Sequence, residues 1–403
     1  MNIFKLYRDS FKGLRKEVWF LALITLVNRA GTMVIPFLSL YLTANFNYTL
    51  KEVGWIMTAF GLGSVTGAWL GGKLSDKIGF YPVMFWSLIL SGLLFIWLQY
   101  LESFYSICIG VFVVMLVADV FRPAAFVAIN AYSKPENRTR SVTLIRLAIN
   151  LGFSVGPAVG GLIIATIGYG GLFWVDGITC IIAGLLFIAL LSFKESKKEV
   201  TTVKKEHAVS PYKDKAYLLA VFCILLIGFA FLQYFSTIPL YYRDVHKLSE
   251  AQIGWLMGMN GFLIFLIEMP LVKYFERPKF SIYRILLWST VMFAMSFWVL
   301  NLSNWVGILV VGMLLMTVAE MLNFPFLNAY ALKRAEKGNS GDYMGLFTMA
   351  FSVAHILGHN SGLQLIAAFG YEITWYVMTG TLLLASLLFI WLKKLSRDET
   401  TTM

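Results

Sequence analysis

Long apolar runs recur so densely along this chain that they decide its class before any motif is read. A helix crossing the hydrocarbon core of a bilayer needs about 20 mostly apolar residues. Runs of that kind fall at 18–43, 53–71, 80–100, 104–129, 141–168, 171–193, 216–242, 253–273, 282–302, 305–332, 343–369 and 371–392. The composition agrees: 59% of residues are hydrophobic and only 14% charged, with 33 Phe and 12 Trp, a balance that soluble domains do not show. The expectation is an all-α membrane protein of twelve transmembrane helices.

A net charge of +11 raises nucleic acid as a partner, and the placement of the basic residues argues against it. They gather in the N-terminal tail, in the loops after the even-numbered spans, in the segment 194–215 and in the C-terminal tail. The alternate loops hold only Lys51, Arg243 and Lys247. By the positive-inside rule this orients the chain with both termini in the cytoplasm, so the lipid bilayer, and no nucleic acid, is the expected large partner. The first run is too long for a signal-peptide core and is expected to be retained. Cys108, Cys180 and Cys223 lie within spans, lack metal-ligand spacing and read as small packing residues. With no HExxH, no GxSxG turn and no phosphate-cradling loop with its lysine, the sequence points to neither an enzyme nor an ATP-driven pump. No cofactor or metal is expected.

Short segments recur about 200 residues apart. VGWIM at 53–57 returns as IGWLM at 253–257, IGYGGLFW at 167–174 as FGYEITWY at 369–376, Pro123 as Pro325, and NAY at 130–132 as NAY at 328–330. Several echoes in one order indicate a duplicated six-helix unit. The expected organisation is a bundle at 1–193, a charged cytoplasmic linker at 194–215 and a second bundle at 216–403.

Two further stretches carry local meaning. GGKLSDKIG at 71–79, between spans two and three, sets Gly72, Asp76 and Gly79 in a tight turn. NLGFSVGPAVGG at 150–161 in span five places Gly152, Gly156, Gly160 and Gly161 at helical spacings around Pro157, a strip that lets another backbone come close and a proline that permits a bend. Duplicated six-helix halves and these motifs resemble the major facilitator superfamily along essentially the whole chain, and the span-five strip resembles the antiporter signature of its drug:proton antiporter branch. The resemblance implies a major facilitator fold of two pseudo-symmetric bundles, alternating access to a central site, and Asp76 as a conformational latch.

Charged side chains at mid-bilayer cost about 2.5–3.5 kcal/mol each on insertion scales, so those retained there tend to face the bundle interior and find partners. This chain carries Arg29 in span one, Asp119 and Arg122 in span four, Arg146 in span five, Asp176 in span six, Glu268 in span eight, Glu320 in span ten and His355 and His359 in span eleven. In the superfamily, spans one, four, seven and ten line the cavity, which makes Arg29, Asp119, Arg122 and Glu320 the leading substrate and proton residues, with Asn150 and Asn323 as polar neighbours. Asp119 and Arg122 are one helical turn apart and able to pair. His355 and His359 share a face and could titrate near neutral pH. A carboxylate between a dry wall and an arginine is poised to exchange a proton.

Arg29, FRP at 121–123, INLG at 149–152 and Glu320 ahead of Pro325 also resemble proton-coupled oligopeptide transporters, although Val27 and Asn28 stand where that family carries glutamates. Tyr41, Phe231, Tyr234 and Phe235 are aromatic candidates for the wall of the cavity. The expectation is a monomeric proton-coupled exporter of small amphiphilic or zwitterionic compounds in a bacterial inner membrane. The alternative is uptake of di- or tripeptides or related nutrients.

Overall fold

The computed structural model describes residues 13–134, 138–193, 209–277, 279–338 and 340–401. Among them, eleven helical stretches are long and apolar enough to cross a membrane, and the last, Tyr343–Ser396, is divided by a left-handed turn at Gly370 (φ 78). Twelve spans result. The part of the expected linker at 194–208 lies outside the described residues.

Three spans are broken near their middles. Span one, Lys16–Asn45, stops at Ala30 and restarts at Val34. Gly31 ends the first piece, its N–H reaching back to Val27 and Arg29, and a Cβ there would fall on the Thr179 side chain. The restarting helix has its free N–H groups met by a carboxylate from span six: Met33 donates to Asp176 Oδ1 and Oδ2 at 2.9 and 3.1 Å, and Val34 to Oδ2 at 2.9 Å. An anion at a helix N-terminus satisfies orphan donors and opposes the positive end of the dipole. Asp176, read from sequence as a membrane-embedded charge, is therefore a cap.

Span four divides into Phe104–Asp119 and Phe121–Tyr132. Pro123 has no N–H to offer the Asp119 carbonyl four residues back, so the backbone loosens where the charged pair sits. Span seven divides into Lys215–Phe231, Gln233–Ser236 and Ile238–Asp244, and an amide at the break ties it to span eleven: Gln233 Nε2 donates to Phe229 O of span seven at 3.0 Å and to Gly358 O of span eleven at 2.7 Å.

The duplication is visible in loop geometry as well as in sequence. Asn47 and Lys247 take matching left-handed conformations (φ 54 and 55), as do Gly168 and Gly370 (φ 89 and 78). Spans two and eight begin with equivalent capping boxes: Glu52 accepts from the Thr49 N–H at 2.8 Å, and Gln252 accepts from the Ser249 N–H at 2.9 Å.

The chain forms two compact units. The first comprises 1–41, 59–199 and 249–262, the second 42–58, 200–248 and 263–403. In the first, the first piece of span one, Lys16–Ala30, packs against spans five and six, and span three against span six. In the second, span seven lies along the last long helix, and span nine packs on span ten and that same helix.

Candidate functional site

In the first unit the site is assembled by glycines. Gly63, Gly67 and Gly71 on span two lie under the Phe112, Leu116 and Val120 carbonyls of span four, where no Cβ fits. This close approach brings Ser64 to Asp119, whose Oδ2 accepts from the Ser64 hydroxyl. The other carboxylate oxygen accepts from Arg122 Nη2 at 3.1 Å. Asp119 is buried while half of the Arg122 side chain is exposed. The carboxylate is thus held on its dry side by a hydroxyl and on its open side by a cation.

Arg29 belongs to the same cluster. It sits at the end of the first piece of span one, its guanidinium 5.8 Å from the centre of the Phe153 ring, and the charges of Arg122 and Asp119 both act on it. With Arg29 near the Arg122–Asp119 pair, two cations and one carboxylate leave this place with a net positive charge.

The span-five strip has two faces. Gly152 and Gly156 lie against the Arg29–Thr32 backbone, and Gly160 against Met33 and Phe37, so one face seats the break of span one. The other face meets span eight: Gly161 underlies the Glu250 carbonyl, and the Pro157 and Ser154 carbonyls lie where Cβ atoms of Gly254 and Gly258 would be. Ser154 Oγ also donates to Gly258 O at 2.8 Å, and the Asn150 carbonyl lies over Gly261. Sequence reading found the strip on span five and missed its counterpart, Gly254, Gly258 and Gly261, although the same small-residue spacing signals it. It also missed Ser64, which sits in an apolar run with nothing local to mark it. Arg146 is exposed.

The GGKLSDKIG segment is not the tight turn expected: the span-two helix, Leu50–Ile78, runs through Gly72 and Asp76, and the chain turns only at Gly79, whose φ of 84 favours glycine, whereas a side chain at Gly72 would meet open space. The side chain of Asp76 lies outside what the structure describes.

The second unit holds Glu320, His355 and His359. Glu320 is half-buried on span ten. The imidazoles of His355 and His359 lie 5.6 Å apart, and Phe351 stands 5.3 Å from His355. Beside them Phe231, Phe235 and Phe324 form a ring cluster, with Phe231 5.3 Å from Phe235 and 4.9 Å from Phe324. Asn323 is fully buried, its amide oxygen accepting from Thr290 of span nine at 3.0 Å, and Glu268 is buried in span eight. Of the proposed wall aromatics, Tyr41 is packed on Tyr169 and Phe173. Tyr234 is bonded to Ser296 at 2.9 Å and buried among Phe293 and Phe297. Both are packing residues here.

The major facilitator superfamily model matches residues 18–359 and, in a second match, 249–402. The chain belongs to this superfamily. It is a multi-pass membrane transporter with the major facilitator fold, two pseudo-symmetric helical bundles. It is 25% identical over 348 residues to the uncharacterized MFS-type transporter YqjV of Bacillus subtilis, covering 83% of each chain. It is 22% identical over 355 residues to the multidrug resistance protein MdtH of Aeromonas hydrophila, covering 85% of this chain and 86% of that protein. It is also 22% identical over 285 residues to the quinolone resistance protein NorA of Staphylococcus aureus, covering 68% of this chain and 72% of that one. Among solved structures, a peptide transporter POT in complex with sulfate superposes with a TM-score of 0.80 at 14% identity over 96% of both chains. The nucleoside transporter NupG does so with a TM-score of 0.75 at 13% identity, over 94% of this chain and 99% of that one. At such identities these superpositions establish the fold alone.

Proposed function

We propose that this major facilitator superfamily transporter exports small amphiphilic or zwitterionic compounds in exchange for protons, the bundles 1–193 and 216–403 alternating access as a monomer with both termini in the cytoplasm of a bacterial inner membrane. The observation that carries the proposal is Asp119, a buried carboxylate between Ser64 and Arg122 with Arg29 close enough to act on it electrostatically. The Asp119 carboxylate can hold either a proton or the basic group of a cargo, with Arg29 and Arg122 beside it for an acidic one, so proton and cargo compete for Asp119. Glu320 supplies the acid of the second bundle, with His355 and His359 as its polar company. Asp76, in the last turn of the span-two helix, serves as the latch.

Export is supported by the span-five strip and by relatives named for multidrug and quinolone resistance. A second reading, proton-driven uptake of di- or tripeptides, is favoured by Arg29, the FRP segment and Glu320. Proteoliposomes with an imposed pH gradient, in both orientations, offered a cationic dye and dipeptides, separate the two. Gradient-driven export of dye or dipeptide is the expected result. Asp119→Asn combined with Glu320→Gln should abolish accumulation while leaving cargo exchange, and intact accumulation in that variant would overturn the scheme.

A further inference from the structure

The turn joining spans eight and nine gathers its side chains into one cluster. Tyr274 and Phe275 close span eight, and Phe280 folds back on them. The three ring centres lie 5.3, 5.4 and 4.9 Å apart. Two cations stand over these rings. The Arg277 guanidinium is 4.8 Å from the centre of Tyr274, and the Lys279 ammonium is 5.4 Å from that same centre and 4.8 Å from Phe280.

A single cation over a ring is stabilised by the negative face of the π system. A second one on the same ring is repelled by the first, and an anion between them relieves the repulsion. Both cations are exposed and spend their stems on aromatic surface, so their heads are held ready at little further cost in side-chain freedom. Lys273 and Arg284 are exposed on the flanks, and Glu276 is the only acid in 273–284.

Depth points to the source of the anion. Span eight has 26 residues, roughly 39 Å at a helical rise of about 1.5 Å, against a hydrocarbon core of about 30 Å. Its last turn therefore emerges among headgroups, where aromatic rings anchor and anionic phosphates are concentrated. Tyr274 is 44% exposed, offering its ring to that layer.

We propose that the 273–284 turn is a binding site for an anionic phospholipid of the cytoplasmic leaflet, its phosphate between Arg277 and Lys279 and its glycerol end against Tyr274. The guanidinium supplies a directional fork for phosphate oxygens and the ammonium a point charge. The site depends on the cytoplasmic placement of this turn and is independent of cargo and proton coupling.

The test is native mass spectrometry of the purified full chain in detergent, titrated with phosphatidylglycerol or phosphatidylcholine. Phosphatidylglycerol should be retained preferentially. Arg277→Gln combined with Lys279→Gln should weaken its binding about ten- to thirty-fold, the effect of removing two basic groups from an anionic surface. Tyr274→Leu, which keeps both charges and removes their platform, should weaken it less, by a few-fold. Lys393→Gln combined with Lys394→Gln removes the same charge from the end of span twelve and should leave binding unchanged. Undiminished binding by the 277/279 variant, an equal loss in the 393/394 variant, or displacement of the lipid by inorganic phosphate at matched concentration would each overturn the proposal. Unaltered melting of the variants in detergent checks that they fold.

Discussion

Spans five and eight meet backbone to backbone, whereas spans two and eleven meet through side chains, and the internal duplication makes the two interfaces directly comparable. Gly254 on span eight and Gly54 on span two are equivalent positions, and at both a Cβ would collide. At Gly254 the obstacle is the Pro157 carbonyl of span five, and at Gly54 it is the Asn360 amide of span eleven. One turn later the halves diverge further: Gly258 faces the Ser154 carbonyl, while its counterpart Thr58 accepts a hydrogen bond from Asn360 Nδ2 at 2.8 Å. Gln364 adds a bond to the Lys51 carbonyl at 3.3 Å. A carbonyl fixed in a helix cannot step aside, and an amide side chain can. The first interface is therefore set by sterics, the second by polar contacts that solvent or rotamer changes can replace.

The strongest way to break this comparison is Gly254→Leu set beside Gly54→Leu. Over-packing a tight contact costs about 1–3 kcal/mol, and at 254 no side chain can move to absorb it. Gly254→Leu should reduce transport in proteoliposomes to background and lower the melting temperature by several degrees, whereas Gly54→Leu should retain measurable transport. Equal losses would mean that the obstacle's nature does not matter.

The next effect concerns the helix breaks, where the halves differ in the same sense. Span one is capped by a carboxylate and span seven by the Gln233 amide, with Thr237 adding a bond to Gln233 Oε1 at 3.1 Å. Asp176→Ala strands the Met33 and Val34 N–H groups, at about 1–3 kcal/mol for each buried donor left unmade. It should lower the melting temperature more than Gln233→Leu does, and the reverse order would show that the amide carries more than the acid.

Asn360→Ala removes one interhelical hydrogen bond in the membrane, a loss of about 0.6 kcal/mol. It should change transport by no more than a few-fold and leave expression intact. The smallest effect is expected for Ser154→Ala, because the Gly258 carbonyl it serves remains in its helix and the close approach persists. If Ser154→Ala were as damaging as Gly254→Leu, the five–eight contact would rest on its hydrogen bond.

Much of the architecture was legible in the sequence, for a physical reason: lipid forces every span to satisfy its own backbone, so length and apolarity reveal each helix. Basic loops, repeats at an offset near 200 and the span-five glycines followed from equally local patterns. The breaks were less legible. Pro123 and Pro239 hint at those in spans four and seven, but the one at Gly31–Met33 depends on a carboxylate 143 residues away. Asp176 and Asp119 look alike as isolated acids in apolar runs, and their surroundings alone make one a cap and the other the centre of a charged cluster. Ser64 carries no mark in sequence, because its role exists only where Gly63 and Gly67 let span four approach.

The sequence by itself determined that this chain crosses a membrane many times as a duplicated bundle, since hydrophobicity and repeat spacing are properties of the chain read in one dimension. The tertiary structure alone decided which charges cluster around Asp119, that Asp176 serves a helix end, and that of two equivalent interfaces one uses main chain and the other side chains. Those outcomes depend on which surfaces come within a few ångströms, and hydrogen bonds and steric contacts have no reach beyond that distance.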